Sequence, residues 1–153
     1  MTPVKTYQGL DDLQKAVGTV IGHSEWHTIT QNDIDRFADV TGDHQWIHID
    51  PDKAAKGPYG TTVAHGYLVL SLVPMLLSET ARTEGLTAAI NYGSNKVRYP
   101  APTPVNSQVR GMVELTELRR GPQGAQAVFR VTVERQGGDK PVCVAEVVSV
   151  LFE

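Results

Sequence analysis

The chain has 153 residues and a mass of 16.7 kDa, with 41% hydrophobic and 20% charged residues. That is one ordinary domain, 1–153, able to bury roughly two thirds of its unfolded surface, and the composition excludes disordered, collagenous, coiled-coil and disulfide-scaffold classes. The 14 Lys plus Arg against 17 Asp plus Glu give a net charge of −3 and a pI of about 5.9, so no chain-wide basic field favours nucleic acid or an anionic membrane.

The N-terminal MTPVKTYQGLDDLQ has no apolar leader. Leu10, Leu13 and Val17 then recur at helical spacing up to Gly18, predicting a short amphipathic helix, and Glu25 to Ile29 predict a short strand. Thr30 with Asp33 three residues on is a capping signature for a helix carrying Ile34, Phe37, Ala38 and Thr41, and Gly42 is its expected stop. A second helix is expected from Ala64 or His65 to about Arg82, apolar on nearly every face and therefore buried almost all round, with Pro74 kinking it. Four alternating strands follow: Thr87 to Tyr99, Ser107 to Leu118, Ala125 to Arg135 and Val142 to Phe152, the last apolar on both faces as a central strand would be. An apolar helix followed by four antiparallel strands predicts an α+β hot-dog fold, a sheet wrapped round a long central helix. The longest apolar stretch, Tyr67 to Leu77, is too short for a bilayer, and the lone Cys143 lies among apolar residues, so a reducing cytoplasm is expected.

Two polar clusters interrupt this patterning. Thr41-Gly42-Asp43-His44-Gln45-Trp46-Ile47-His48-Ile49-Asp50 follows a helix stop, and an Asp and a His five apart in irregular backbone can address one water. Gly60-Thr61-Thr62-Val63-Ala64-His65-Gly66-Tyr67 precedes the buried helix, whose first N–H groups point outward with the helix dipole behind them. Taken singly, Asp43 also reads as a turn residue and His48 as a half-buried strand histidine. The pairs His44/His48 and His23/His27 lack the continuous helix that would converge four-spaced ligands, so no metal is expected.

Thr41-Gly42-Asp43 with His48, followed by Ala64-His65-Gly66, resembles the signature of the MaoC-like dehydratases and (R)-specific enoyl-CoA hydratases, in its nodulation-protein-N-like branch. The resemblance implies that Asp43 and His48 are the acid/base pair and that the Gly66 N–H binds the thioester oxygen. Gln45 and Trp46 stand where the family usually has Asn and Pro. The Gln45 amide is expected to keep a positioning role, and Trp46 either lines the acyl pocket or packs in the core.

The resemblance further implies (R)-3-hydroxyacyl products from trans-2-enoyl thioesters, on coenzyme A or acyl carrier protein, without a metal or redox cofactor. Ala64 and His65 belong with the substrate site; His65 either caps the helix or binds its neighbours. Lys96 and Arg98 leave one strand face, either to solvent or toward coenzyme A phosphates. A homodimer is implied. Two other readings stay open: a hot-dog thioesterase, for which the helix offers only Glu79 and Glu84 near its end, and a non-catalytic acyl-thioester-binding module.

Overall fold

The structure is a computed structural model that describes residues 3–153. A short strand β1 (Lys5–Gln8) leads into helix α1 (Gly9–Gln14), whose Leu10 and Leu13 are fully buried. Strands β2 (Thr19–His23) and β3 (His27–Thr28) follow, the second shorter than the expected Glu25–Ile29. Helix α2 (Gln31–Thr41) is bounded as its sequence dictates. Thr30 Oγ1 accepts from the Asp33 N–H at 3.2 Å, and Asp33 Oδ2 accepts from the Thr30 N–H at 2.9 Å. At the other end Gly42 adopts φ 81°, a left-handed conformation that costs glycine little, and its N–H closes on Ala38 O at 2.8 Å.

Two short helices come next, α3 (Trp46–Ile49) and α4 (Pro51–Ala55), the latter capped by Asp50. His48 therefore sits on a single helical turn, not a strand. The expected long helix is two pieces, α5 (Gly66–Ser71) and α6 (Val73–Thr80), separated at Leu72. Pro74 has no N–H to donate to the carbonyl four residues back, so the first helix cannot propagate and the second starts with proline in its first turn. The pair is also not buried all round: Leu68, Val69, Val73 and Leu76 are buried, whereas Tyr67, Ser71, Pro74 and Ser78 are exposed.

Helix α6 ends at Thr80, two residues before the expected Arg82. Ala81–Glu84 form strand β4, parallel to β1, and Glu84 lies on this strand instead of on a helix. Strands β5 (Ala88–Arg98), β6 (Gln108–Gly121), β7 (Gly124–Arg135) and β8 (Cys143–Phe152) match the four alternating segments. They form an antiparallel sheet in the order β2-β6-β7-β8-β5, with β3 also on β6.

Helix α5 packs on β8 and α6 on β6 and β2, so the helical pair crosses the sheet face in the hot-dog arrangement. Gly111 permits the approach: a Cβ there would lie 3.0 Å from Leu76 Cβ and 3.3 Å from Val131 Cγ1. Val109, Val113, Leu115, Val131, Val133 and Cys143 complete the floor beneath Leu76, all fully buried. Burial pushes the Cys143 thiol up to about 11, which fits a packing residue.

Candidate active site

The two polar clusters meet. Asp43 follows the Gly42 helix stop, His48 stands on the single turn α3, and His65 immediately precedes α5; each offers a ligand atom, all within 4.8 Å of one another. Asp43 is exposed, whereas His48 and His65 are 7% and 2% exposed. Such a group of one carboxylate and two imidazoles can surround a water or a small cation. It is not either of the histidine pairs considered from the sequence: His44 pairs with Asp39 at 3.0 Å, His27 with Glu79 at 2.9 Å, and His23 faces Glu134 at 4.0 Å.

His48 Nδ1 lies 2.7 Å from Val63 O. A carbonyl only accepts, so Nδ1 carries the proton and Nε2 of the neutral ring is left as a base. Burial holds the His48 imidazolium below its ordinary range, the Val63 carbonyl opposes that, and then neighbouring His65 lowers it further while Asp43 raises it.

By the same logic His65 donates from Nε2 to Asp43 O at 2.9 Å, leaving Nδ1 buried and without a hydrogen-bond partner among the described residues. Its ring stacks on His48 with centroids 3.9 Å apart and planes 24° apart, while Phe37 flanks it at 4.9 Å. His65 thus makes no side-chain cap to α5 and instead ties the Asp43 main chain to the His48 ring.

Gln45 takes part through its main chain. Its N–H donates to Asp43 Oδ1 at 3.3 Å and its carbonyl accepts from the His48 N–H at 3.0 Å, while the side chain is exposed and forms no cap. Trp46 packs its ring edge on Gly57, 2.9 Å from where a Cβ would stand, and Lys53 Nζ lies 4.8 Å over the ring. Ala64 belongs to the hydrophobic core, and its N–H is engaged by Thr103 O at 2.8 Å.

Gly66 is the first residue of α5, so its N–H has no intrahelical acceptor. A Cβ at this position would come within 3.1 Å of the Tyr99 ring, so a glycine keeps the helix start against that aromatic face. Tyr99 follows directly on β5, which brings the Lys96–Arg98 end of the strand to the same end of α5. Lys96 and Arg98 are both exposed, and Arg98 Nη1 also donates to Val97 O at 2.7 Å. A mostly apolar cleft of about 680 Å³ is lined by Leu70, one turn along α5 from Gly66, and by Val73, Leu77, Ile90, Val147 and Leu151; Asp43, His48, His65 and Gly66 do not line it.

One participant carries no signal in the sequence. Gln31, the first residue of α2, donates from Nε2 to His48 O at 2.8 Å and to Asp35 Oδ1 at 2.9 Å, and its Oε1 accepts from Thr62 Oγ1 at 2.6 Å.

Residues 12–146 match the family described as MaoC like domain. The chain is 49% identical over 144 residues to the 3-hydroxyacyl-thioester dehydratase Z of Mycobacterium tuberculosis (strain ATCC 25618 / H37Rv), covering 94% of this chain and 95% of that protein. It is 39% identical over 145 residues to Nodulation protein N of Rhizobium leguminosarum bv. viciae, covering 93% and 90%. Among solved structures, the (R)-hydratase from A. caviae involved in PHA biosynthesis superposes with a TM-score of 0.72 at 25% identity, over 86% of this chain and 96% of that one. A monoamine oxidase regulatory protein from Archaeoglobus fulgius gives 0.77 over 99% of both chains at 21% identity, a likeness of fold. The chain belongs to the MaoC-like dehydratase family and is an enzyme of the hydro-lyase class.

Proposed function

We propose that the chain adds water to trans-2-enoyl thioesters, giving (R)-3-hydroxyacyl thioesters, and catalyses the reverse dehydration. The observation that carries this reading is the convergence of Asp43 with a buried, neutral His48 whose Nε2 has no hydrogen-bond partner among the described residues, beside the Gly66 N–H that starts α5 and has no intrahelical acceptor. A water seated between Asp43 and His48 gives a proton to His48 Nε2 as its oxygen bonds the β-carbon. The alkene electron pair moves through the α-carbon onto the thioester oxygen, where the Gly66 N–H meets the developing charge. The Asp43–His48 pair then returns one proton to the α-carbon, so the net change is addition of one H and one OH.

The thioester carbonyl already makes the β-carbon electrophilic, so the proposed reaction uses no metal or redox cofactor; coenzyme A or acyl carrier protein enters as part of the substrate. The mostly apolar cleft lined by Leu70 suits the acyl tail, and Lys96 and Arg98 suit the carrier's phosphates. Glu79, the carboxylate on α6, is held by His27 and by the Glu25 N–H, which gives thioester hydrolysis no free group there. We further propose a cytoplasmic homodimer; no helix among the described residues is long and apolar enough to cross a membrane.

Loss of the enoyl absorbance of crotonyl-CoA and of a longer enoyl-CoA tests the reading. Hydration without thiol release supports it, and release of free coenzyme A, or binding without any turnover, contradicts it.

A further inference from the structure

We infer that Gln31 is a positioning residue that holds the His48 base in register by clamping the two chain segments to which it is bonded. The inference rests on the hydration reading above and extends it to a residue outside the reacting groups. The amide orientation is fixed by its neighbours. Asp35 Oδ1 and His48 O can only accept, so both must face the NH₂ group, and Oε1 is left for the Thr62 hydroxyl. A flipped amide would set an oxygen against two acceptors.

The segment it holds cannot hold itself. α3 has only four residues, and one turn of helix is poorly stable alone. His48 O lies in its last turn, where carbonyls lack intrahelical donors, and Gln31 supplies that donor. The second anchor, Thr62, is 1% exposed and immediately precedes Val63, whose carbonyl fixes the His48 tautomer at 2.7 Å and whose N–H donates to Ile47 O at 3.0 Å. Gln31 therefore joins the backbone of the base to the segment that orients its ring. Freed from this clamp, the ring loses its single acceptor geometry and Nε2 is no longer presented uniformly to the water.

The test compares Gln31→Met, which keeps length without hydrogen bonds, with Thr62→Val and the conservative Thr62→Ser. Hydration kinetics are followed against pH, and imidazole ¹⁵N spectra report the His48 tautomer. Gln31→Met and Thr62→Val are expected to lower kcat on the order of 10- to 100-fold with KM little changed, as for a small misplacement of a catalytic group. They should also move the acid limb of kcat/KM and show a mixture of His48 tautomers, whereas Thr62→Ser retains wild-type behaviour. Because both single changes break one linkage, the double variant is expected to be no worse than the poorer single variant.

Wild-type kcat in Gln31→Met overturns the inference. So does a loss of kcat with an unshifted acid limb and one Nδ1–H tautomer, the pattern of a residue that serves folding alone. The tautomer spectra need no turnover, so an inactive wild-type enzyme would refute the hydration reading while the clamp is still judged from the His48 spectra.

Discussion

Burial and the adjacent His65 ring both disfavour the imidazolium of His48, and they outweigh the Val63 carbonyl and the Asp43 carboxylate, which favour it. The base is thereby mostly neutral at the pH, near 6.5, where an ordinary histidine is half protonated. Hydration requires that neutral form, so kcat/KM is expected to rise with pH through an inflection below 6.5 and to be level at neutrality; a pH–rate profile on crotonyl-CoA checks this. An inflection above 6.5 would mean that Asp43 dominates instead. At this scale the sequence points to Asp43, His48 and Gly66 through their spacing within two linked motifs, and the structure brings Asp43 and His48 together. The sequence does not disclose Gln31 or the bridging role of His65. Their bonds span 17, 31 and 22 positions and exist only once α2, α3 and the approach to α5 are packed together. The main-chain bonds of Gln45 to Asp43 and His48 are likewise not read from its side-chain chemistry.

Local rules govern most element boundaries. The Thr30–Asp33 capping box, the Gly42 stop and the alternation of β6, β7 and β8 are consequences of short-range chemistry, and all are found where the residues place them. The central helix departs because Pro74 acts on propagation as well as on bending, so two short helices replace one. The parallel β1–β4 pair was not legible either, since it depends on a contact between Lys5–Gln8 and Ala81–Glu84 that neither segment encodes alone. The closeness of α6 to the sheet gives a direct test. Gly111→Ala would place a methyl 3.0 Å from Leu76 Cβ and 3.3 Å from Val131 Cγ1, so the helix or the strand must give by a few tenths of an ångström. The expected loss is about 1–3 kcal/mol of stability in denaturant unfolding, the usual cost of overpacking. An unchanged midpoint would show that α6 is free to lift off β6.

For the whole molecule, β5 ends the sheet order and offers 11 residues of edge strand with no partner on its outer side among the described residues. Ile90 and Tyr92 on it are 51% and 71% exposed. A long edge carrying exposed apolar groups favours strand pairing with another chain. The proposed homodimer is expected to show about twice the 16.7 kDa chain mass by light scattering, with Tyr92→Asp shifting it toward the monomer. A monomeric wild-type protein at assay concentration would contradict that assembly. The hot-dog architecture itself was legible because an apolar helical segment followed by four alternating strands permits few compact layouts, while the assembly depends on surfaces that composition does not describe. In the proposed reaction Asp43 and His48 act together on one water. Crotonyl-CoA hydration with chiral analysis of the product, run on wild type beside folded Asp43→Asn and His48→Gln variants, tests it most directly. Wild type is expected to give the (R)-3-hydroxy product, and each variant to lose at least 100-fold in kcat, of the order general acid–base catalysis supplies. An (S) product, or substantial turnover in either variant, would contradict the proposal.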